Sequence, residues 1–443
     1  MMGIDGSNGD ISHKLIRKFR KNFEADSHNR MALNAVSRGN LQEIAIRRDI
    51  LNTAAFDFTY EVETANITDQ KRAGTCWLFA ELNWLRTLMQ KEHNIKDIEF
   101  SENYLIFWDK FEKANFFLEN IIRLRDRPID DREMHHILSN PNPDGGEWHL
   151  IANLIRKYGL VPKQVMPDTW SRENSRFMNQ ILNYKQREFA AVLRTQHEKG
   201  KSEELLRTRK QQMMEELYRI ISIFMGLPPE KFTWGYRDKD KNYHQDVDIT
   251  PNEFHNKYLP LPLDDVYALL SCPTLEYHKT YTVPFFNNMP NTRWHWLNLP
   301  IRDLKRIAIK MLKNGETCLY GCDVTQDSHS KDGLMWDNLY DFDLVFKTRF
   351  VMDKPTRLNY QQSRCTHAMV LIGVEMINGK PTRWKVENSW GTEVGKKGFF
   401  IMSDTWFDEH VFDLVIPKKY LSLKQLEEFQ LVPTELPAWH PMA

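Results

Sequence analysis

The chain has 443 residues, of which 41% are hydrophobic and 12% aromatic, and this composition predicts two or three packed domains and excludes a disordered protein. Its 60 basic and 60 acidic residues cancel, so the chain as a whole lacks the charge excess of proteins that bind nucleic acid or acidic membranes. The five cysteines are irregularly spaced and form neither a disulfide framework nor a zinc pattern, which predicts a reducing, cytoplasmic location.

The N-terminal sequence MMGIDGSNGDISHKL lacks the apolar region of a secretory signal. No window of about 18 apolar residues, the length needed to cross a bilayer, occurs in the chain. We therefore expect neither secretion nor contact with a membrane.

Apolar residues recur at helical spacing along the first half of the chain. The spacing predicts an amphipathic helix in residues 11–25, a helix that begins at Cys76, and a buried helix in 101–124 with Ser101 as its N-cap. Residues 139–147, SNPNPDGGE, are rich in turn formers and predict a loop.

The second half of the chain combines helices with strands. Residues 171–224 carry charged and long apolar side chains at helical intervals, which predicts two or three surface helices, and 226–300 predicts mixed short elements. A helix is predicted in 301–315. Two strands flank Asn378-Gly379, a strong signal for a type I′ turn. The final LVPTELPAWHPMA contains three prolines and predicts an extended arm.

Cys76 lies in QKRAGTCWLF, at the start of a predicted helix. A thiol is nucleophilic as the thiolate, and both the positive end of a helix and a nearby imidazolium lower its pKa. Gly74 and Thr75 leave room beside the Cys76 backbone. Taken alone, the cysteine is more simply interpreted as a small buried hydrophobic residue.

Four further residues strengthen the catalytic interpretation. His367 opens a predicted strand, and Asn388 in ENSWG can accept a hydrogen bond from the imidazole and fix its orientation. Trp390 can shield that bond from water. The Gln70 amide, with the backbone N–H of Cys76, can donate to the oxyanion of a tetrahedral intermediate. Each residue alone has an ordinary structural explanation, but the combination predicts a catalytic thiol.

These segments resemble the papain-like cysteine peptidases. QKRAGTCWLFA is similar to the family's Gln-to-Cys segment, THAMVLIG to its His strand, and WKVENSWGTEVGKKGFFIM to its Asn-Ser-Trp-Gly segment. DGGEW resembles the Gly-Gly segment that lines the family's substrate cleft. The resemblance implies two sets of functional residues, catalytic Cys76, His367, Asn388 and Gln70, and substrate-binding Gly145, Gly146 and Trp390. It implies no metal and no organic cofactor.

The spacing of these segments resembles one subfamily, that of bleomycin hydrolase and bacterial aminopeptidase C. From Cys76 to His367 the chain runs 291 residues, whereas about 130–150 are expected in the papain class. A 75-residue extension also precedes Cys76. Further local similarities occur in SENYLIFWDKFEKANFFLEN, WGYRDKDKNY, GCDV and the ending LPAWHPM.

The resemblance implies an α+β fold of the papain-like, two-lobed kind, with a helical lobe, a β-barrel-like lobe, a large helical insertion and an extended C-terminal arm. The implied division is an N-terminal extension in 1–60, the helical lobe in 61–168, an inserted mainly helical subdomain in 169–300, the β lobe in 301–425 and the arm in 426–443.

The subfamily resemblance also implies a homohexameric ring whose C-terminal arms lie in the active-site clefts. Such an arm restricts the enzyme to aminopeptidase action on peptides, together with amidase action on bleomycin. The arm of this chain ends soon after Pro441-Met442, at Ala443. The carboxylate of Ala443 is therefore a candidate partner for the substrate's α-ammonium group.

Two alternatives remain open from the sequence. A short arm that leaves the cleft open predicts an endopeptidase or dipeptidyl peptidase. A ring with a basic cavity predicts a nucleic-acid-binding protein, which zero net charge makes the weaker interpretation, and whose test is salt-dependent retention of DNA.

Overall fold

The computed structural model describes residues 9–259 and 261–442. Its helices are α1 His13–Ala25, α2 Ser27–Val36, α3 Leu41–Ala45, α4 Arg48–Thr53, α5 Cys76–Glu92, α6 Glu102–Arg123, α7 Arg132–Ser139, α8 Trp148–Tyr158, α9 Trp170–Glu173, α10 Ser175–Glu198, α11 Glu203–Met225, α12 Pro251–Tyr258, α13 Ile301–Lys313, α14 Phe342–Phe346, α15 Lys354–Asn359, α16 Asp404–His410 and α17 Leu423–Glu428. Its strands are β1 Tyr60–Glu61, β2 Phe232–Arg237, β3 Tyr243–Ile249, β4 Val266–Leu270, β5 Lys279–Thr282, β6 Trp296–Asn298, β7 Cys318–Cys322, β8 Ser328–His329, β9 Leu334–Met335, β10 His367–Ile377, β11 Lys380–Glu387, β12 Phe399–Ser403, β13 Val411–Pro417 and β14 Thr434–Glu435. Across these described residues, no helix is both long and apolar enough to cross a membrane.

The predicted helices of the first half are confirmed. Ser101 caps α6 as expected, because its hydroxyl accepts a hydrogen bond from a backbone N–H in the first turn. Helix α1 is strongly amphipathic but buries none of its residues. Its apolar side chains Ile16, Phe19 and Phe23 are about half exposed, so this face has no partner within the described part of the chain.

Helix α5 forms the centre of the helical lobe. Leu78, Leu82, Leu85 and Met89 recur at helical spacing and are almost completely buried. The helix packs against α6 and α8 on one side and against β10 on the other. Its first residue, Cys76, therefore lies at the boundary between the helices and the sheet.

A large mixed sheet forms the second layer, and β10 lies inside it between β7 and β11. Strands β10 and β11 are antiparallel, with Val370 opposite Glu387. Asn378 and Gly379 connect them with φ of 51° and 77°, as the predicted type I′ turn requires. This hairpin brings the start of β10 and the segment after β11 to the same edge, so residues far apart in the sequence meet.

The range 169–300 differs from the expected insertion in two respects. Helices α10 and α11 pack against α6 and bury Leu182, Leu193 and Leu217, so they belong to the helical core and are not only surface helices. Strands β4, β5 and β6 join the main sheet, where β4 pairs with β13. The second half of this range is therefore part of the β lobe and not of a separate helical subdomain.

The C-terminal arm is extended, as its prolines predict. Strand β14 pairs in parallel with β5, and the backbone N–H of Leu436 donates to the carbonyl of Thr282 at 2.8 Å. Leu436 and Met442 are buried among side chains of the β lobe. The arm is thus fixed to the β lobe at β14 and at Leu436 and Met442.

Candidate active site

Cys76 is the first residue of α5 and is half-buried at a cavity of about 480 Å³. Burial raises the pKa of its thiol, while the backbone N–H groups of Ala368, Trp77 and Cys76 itself act in the opposite direction. The helix start was expected to lower this pKa. In the free enzyme the cost of burial is larger than the contribution of these N–H groups.

His367 is the first residue of β10 and is buried beside Asn388. The imidazole Nε2 and the Asn388 Oδ1 are 2.9 Å apart. The backbone N–H of Ser389 donates to the same Asn388 oxygen at 2.8 Å, so this atom is an acceptor and the Nε2 of His367 carries the proton. The neutral ring then has an unprotonated Nδ1, the nitrogen that can accept a proton from a thiol.

The environment of His367 keeps it neutral over most of the pH range. Burial lowers the pKa of its imidazole to about 4, although the hydrogen bond to Asn388 raises it in part. The Trp390 ring stacks on the imidazole with centroids 4.7 Å apart and planes 30° apart. Trp390 thus covers one face of the histidine, in agreement with the expected shielding of the His367–Asn388 bond.

Gln70 is held by two contacts that fix its side chain. Its Nε2 donates to the carbonyl of Ala73 at 3.0 Å, and its Oε1 accepts from the Ser389 hydroxyl at 2.9 Å. The Gln70 backbone N–H also donates to the Ser389 carbonyl at 2.8 Å. These bonds join the loop before α5 to the segment that carries Asn388, and they leave the second amide hydrogen of Gln70 for another acceptor.

The cavity brings together Cys76, His367, Gly145 and Gly146. Gln70, Asn388 and Trp390 are not among its described lining residues. A Cβ atom on Gly146 would lie 2.6 Å from the Trp77 ring, whereas one on Gly145 would meet nothing within 4 Å. Only Gly146 is therefore required by close packing, and Gly145 leaves its backbone open to the cavity.

A buried charge network, not predicted from the sequence, holds the glycine loop. The Asp144 carboxylate accepts from Lys110 at 2.7 Å and from Ser175 at 2.7 Å. Burial raises the pKa of Asp144, but the Lys110 ammonium and hydrogen bonds including that of Ser175 outweigh it and lower this pKa below its usual range. Lys113 donates to the Gly145 carbonyl at 2.8 Å. The feature of the sequence that could have indicated this network is the presence of two lysines, Lys110 and Lys113, on the largely buried helix α6.

The C-terminal arm reaches the same cavity. Ala438 and Met442 line it together with Cys76 and His367. Between them, the Trp439 ring packs under the Arg132 guanidinium at 3.6 Å. Ala443, the expected partner of the substrate's α-ammonium group, lies outside the described residues.

The sequence and the fold both match known proteins. Residues 10–443 match the sequence model of the peptidase C1-like family. The chain belongs to this family. The crystal structure of PepW from Lactobacillus rhamnosis superposes on this chain with a TM-score of 0.96 at 41% sequence identity. The match covers 98% of this chain and 99% of PepW. The papain-like α+β fold and the assignment as a cysteine peptidase are thereby confirmed.

Relatives of this peptidase C1-like chain extend over its whole length. Aminopeptidase C of Lactobacillus helveticus is 39% identical over 444 residues, which is 98% of each chain. Bleomycin hydrolase of Homo sapiens is 38% identical over 454 residues, covering 100% of this chain and 99% of that protein. The expected subfamily resemblance is therefore confirmed.

Proposed function

We propose that this peptidase is a cysteine aminopeptidase that removes residues from the N-terminus of peptides. The observation that carries the proposal is that Cys76 and His367 line one cavity together with the arm residues Ala438 and Met442. The nucleophile and base thus face a cleft that the chain's own terminus partly fills. The names of the full-length relatives, aminopeptidase C and bleomycin hydrolase, support the same activity.

The proposed reaction begins with transfer of the Cys76 proton to Nδ1 of His367. The thiolate then attacks the scissile carbonyl carbon, and a C–S bond forms while the carbonyl oxygen becomes an oxyanion. The backbone N–H of Cys76 and the free amide hydrogen of Gln70 stabilise that oxyanion, and one such donor is typically worth about 2.7–4 kcal/mol. Because burial disfavours both ions, these donors and the helix N-terminus supply the compensating stabilisation.

His367 then protonates the leaving amine, and the C–N bond breaks to leave an acyl-enzyme. A water molecule gives a proton to His367 and attacks the acyl carbon, after which the C–S bond breaks and the thiol recovers its proton. Asn388 keeps the imidazole oriented during both halves through the 2.9 Å bond to Nε2. Gly145 offers its backbone to the extended substrate, because no side chain blocks the approach.

The arm supplies the proposed restriction to the peptide N-terminus. Ala438 and Met442 occupy part of the cavity, and β14 anchors the arm to β5. A peptide chain that continued past the first residue on this side would meet the arm. The Ala443 carboxylate is proposed to attract the α-ammonium group of the substrate.

Three finer properties complete the proposal. Amidase action on bleomycin-like amides follows from the same acyl-transfer chemistry and is supported by the name of the human relative. Assembly into a homohexamer is supported by the exposed apolar face of α1, which includes Phe19 and Phe23. A cytoplasmic location is supported by five free cysteines.

The proposal is tested with two decapeptides of identical sequence, one with a free and one with an acetylated N-terminus. We expect mass spectrometry to show stepwise loss of single residues from the free peptide only, because the arm blocks longer occupancy. The Cys76→Ala variant provides the control and should release nothing. A chain that ends at Pro437 should begin to cut the acetylated peptide internally, because the blocking residues are gone.

Two results would contradict the proposal. Internal cleavage or dipeptide release by the intact chain would mean that the arm leaves the cleft open and that the enzyme is an endopeptidase or dipeptidyl peptidase. Full activity in Cys76→Ala would show that the assigned nucleophile is wrong.

A further inference from the structure

The cavity beside Cys76 contains a second group of titratable side chains that the proposed reaction does not use. Glu81, Glu147, Asp413 and Cys365 all line it. One ligand atom from each of Glu147, Cys365 and Asp413 lies within 4.8 Å of the others, and the Cys365 Sγ is 3.5 Å from the Asp413 carboxylate. We call Glu81, Glu147 and Asp413, with Cys365, the acidic cluster.

Glu81 is the member of the acidic cluster that has a carboxyl oxygen without a hydrogen-bond partner. Its side chain is 2% exposed, it lines the cavity, and its Oε2 has no hydrogen-bond partner. A buried carboxyl oxygen without a hydrogen-bond partner is unfavourable, because it has lost its contacts with water and gained none in return. The cost is removed when a ligand with hydrogen-bond donors enters the cavity.

Among the described residues, no lysine or arginine forms an ion pair with the acidic cluster. Burial raises the pKa of Glu147 well above its usual value, and the neighbouring Asp413 and Cys76 raise it further. Burial likewise raises the pKa of Asp413 to about 6. Of the lysines and arginines that line the same cavity, Lys113 pairs with Asp109 at 2.7 Å and Arg364 is exposed to solvent. Uncompensated buried carboxyl groups of this kind attract a positively charged ligand.

The remaining walls of the cavity are apolar. Phe285, Phe286, Leu319, Val415 and Met442 contribute to them. An apolar channel that ends in carboxyl groups suits a ligand with an aliphatic stem and a cationic head, the chemistry of a lysine or arginine side chain.

We propose that the acidic cluster binds the side-chain ammonium or guanidinium of a lysine or arginine at the substrate's N-terminus, and so selects which N-terminal residues are removed. This inference rests on the proposed function for its biological role, but the binding itself does not require turnover. The carboxyl groups line the same cavity as Cys76, the proposed nucleophile. A cation held there fixes the first residue near the attacked carbonyl.

Three 7-amino-4-methylcoumarin amides that differ by one ammonium group at a time test the proposal. The lysine and norleucine amides differ in the side-chain ammonium, and the norleucine and hexanoic acid amides differ in the α-ammonium. In wild type we expect kcat/KM to be about tenfold or more higher for the lysine amide than for the norleucine amide, because hydrogen bonds to charged groups are typically that strong. Asp413→Asn and Glu147→Gln should reduce that ratio, while the ratio of the norleucine to the hexanoic acid amide, which reports the α-ammonium, should stay at its wild-type value.

The matched control is Asp264→Asn, a carboxylate whose side chain is 89% exposed and which pairs with Arg156 on the surface. It should leave both ratios at their wild-type values. A lysine-to-norleucine ratio unchanged in Asp413→Asn and Glu147→Gln, with normal hydrolysis of the norleucine amide, would overturn the inference and leave the proposed function intact.

A binding measurement without turnover separates the two proposals. Calorimetry on the Cys76→Ala variant compares lysinamide with norleucinamide, and we expect lysinamide to bind about tenfold or more tightly. Adding Asp413→Asn should remove that gain. Equal affinities for the two amides would overturn the inference, whereas failure of wild type to hydrolyse any amide would overturn the proposed function alone.

Discussion

At the scale of single residues, Gly146 shows how packing next to the nucleophile restricts the sequence. The Trp77 ring that would meet its Cβ atom is itself fixed, because its Nε1 donates to the Asp144 carbonyl at 2.7 Å. A side chain at position 146 must therefore displace either the glycine loop or the residue that follows Cys76. Both movements change the reacting geometry.

We predict that Gly146→Ala lowers kcat/KM at least about tenfold and destabilises the fold by about 1–3 kcal/mol, the usual cost of overpacking. Gly145→Ala is the matched control, because its Cβ atom meets nothing within 4 Å, and it should change the melting temperature little. Peptidase assays and thermal unfolding of both variants provide the measurement. Equal losses of stability in the two variants would show that the Trp77 contact is not the cause.

His367 makes the fold sensitive to acid. Its pKa is about 4 in the folded protein, whereas an exposed histidine titrates near 6.5. The unfolded chain therefore binds a proton that the folded chain rejects, and lowering the pH from 6.5 toward 4 favours unfolding. The stability that comes from keeping His367 neutral is fully present above about pH 6.5 and is lost as the pH falls toward 4.

Between pH 7 and pH 4.5, we predict that the free energy of unfolding falls by about 2–3 kcal/mol more in wild type than in His367→Gln, because the glutamine does not titrate. Urea unfolding at the two pH values measures the difference. Burial lowers the pKa of His149 and His410 as well, to about 3, so both proteins should weaken in acid. The contribution of His367 is contradicted if the two proteins lose the same amount.

At the scale of elements, a buried ion pair connects the helical lobe to the β lobe. The Arg86 guanidinium on α5 lies 2.9 Å from the Glu387 carboxylate at the end of β11, with both side chains at most 2% exposed. Glu387 directly precedes Asn388. The pair therefore fixes how the β10–β11 hairpin, which begins at His367 and leads into Asn388, sits on the helix that begins at Cys76.

We predict that Glu387→Ala lowers the free energy of unfolding by about 3–5 kcal/mol, because it leaves the Arg86 charge buried and unpaired. The control is Glu24→Ala, which removes an exposed pair with Arg20 and should cost about 0.3–0.5 kcal/mol. Chemical denaturation of both variants gives the comparison. Similar small losses in both would show that the buried pair adds no net stability.

Local signals predicted these elements well, and long-range pairing limited the rest. The start of α5 at Cys76 and the β10–β11 hairpin follow from spacing and turn chemistry within a few residues. Strands β4, β5 and β6 were not assigned to the β lobe, because the sequence of a short strand does not show which distant strand it pairs with. The acidic cluster was missed for a similar reason, since Glu81 and Asp413 lie far apart in the chain and meet only after folding.

At the scale of the whole molecule, the apolar face of α1 is left largely uncovered by the part of the chain that the structure describes. Phe19 is 53% and Phe23 is 45% exposed, and apolar surface of this kind commonly marks an interface between subunits. The proposed hexamer offers such an interface. It also predicts that assembly depends on this helix.

We predict that wild type elutes with a mass of about 320 kDa, six times that of one 52.7 kDa chain. The double variant Phe19→Glu with Phe23→Glu should dissociate, because two charges replace the apolar contacts. Size-exclusion chromatography with light scattering measures both masses. A wild-type monomer would contradict the assembly proposal, and an intact hexamer in the variant would exclude the α1 face as its interface.

The bonds between Gln70 and Ser389 have a consequence for damaged copies of the enzyme. They connect the loop before Cys76, the proposed nucleophile, to the segment that carries Asn388, so the contact between the lobes runs through the proposed catalytic groups. We expect a copy whose lobes separate there to lose its activity at that step of unfolding. Such a copy would then be unable to cut the proteins around it.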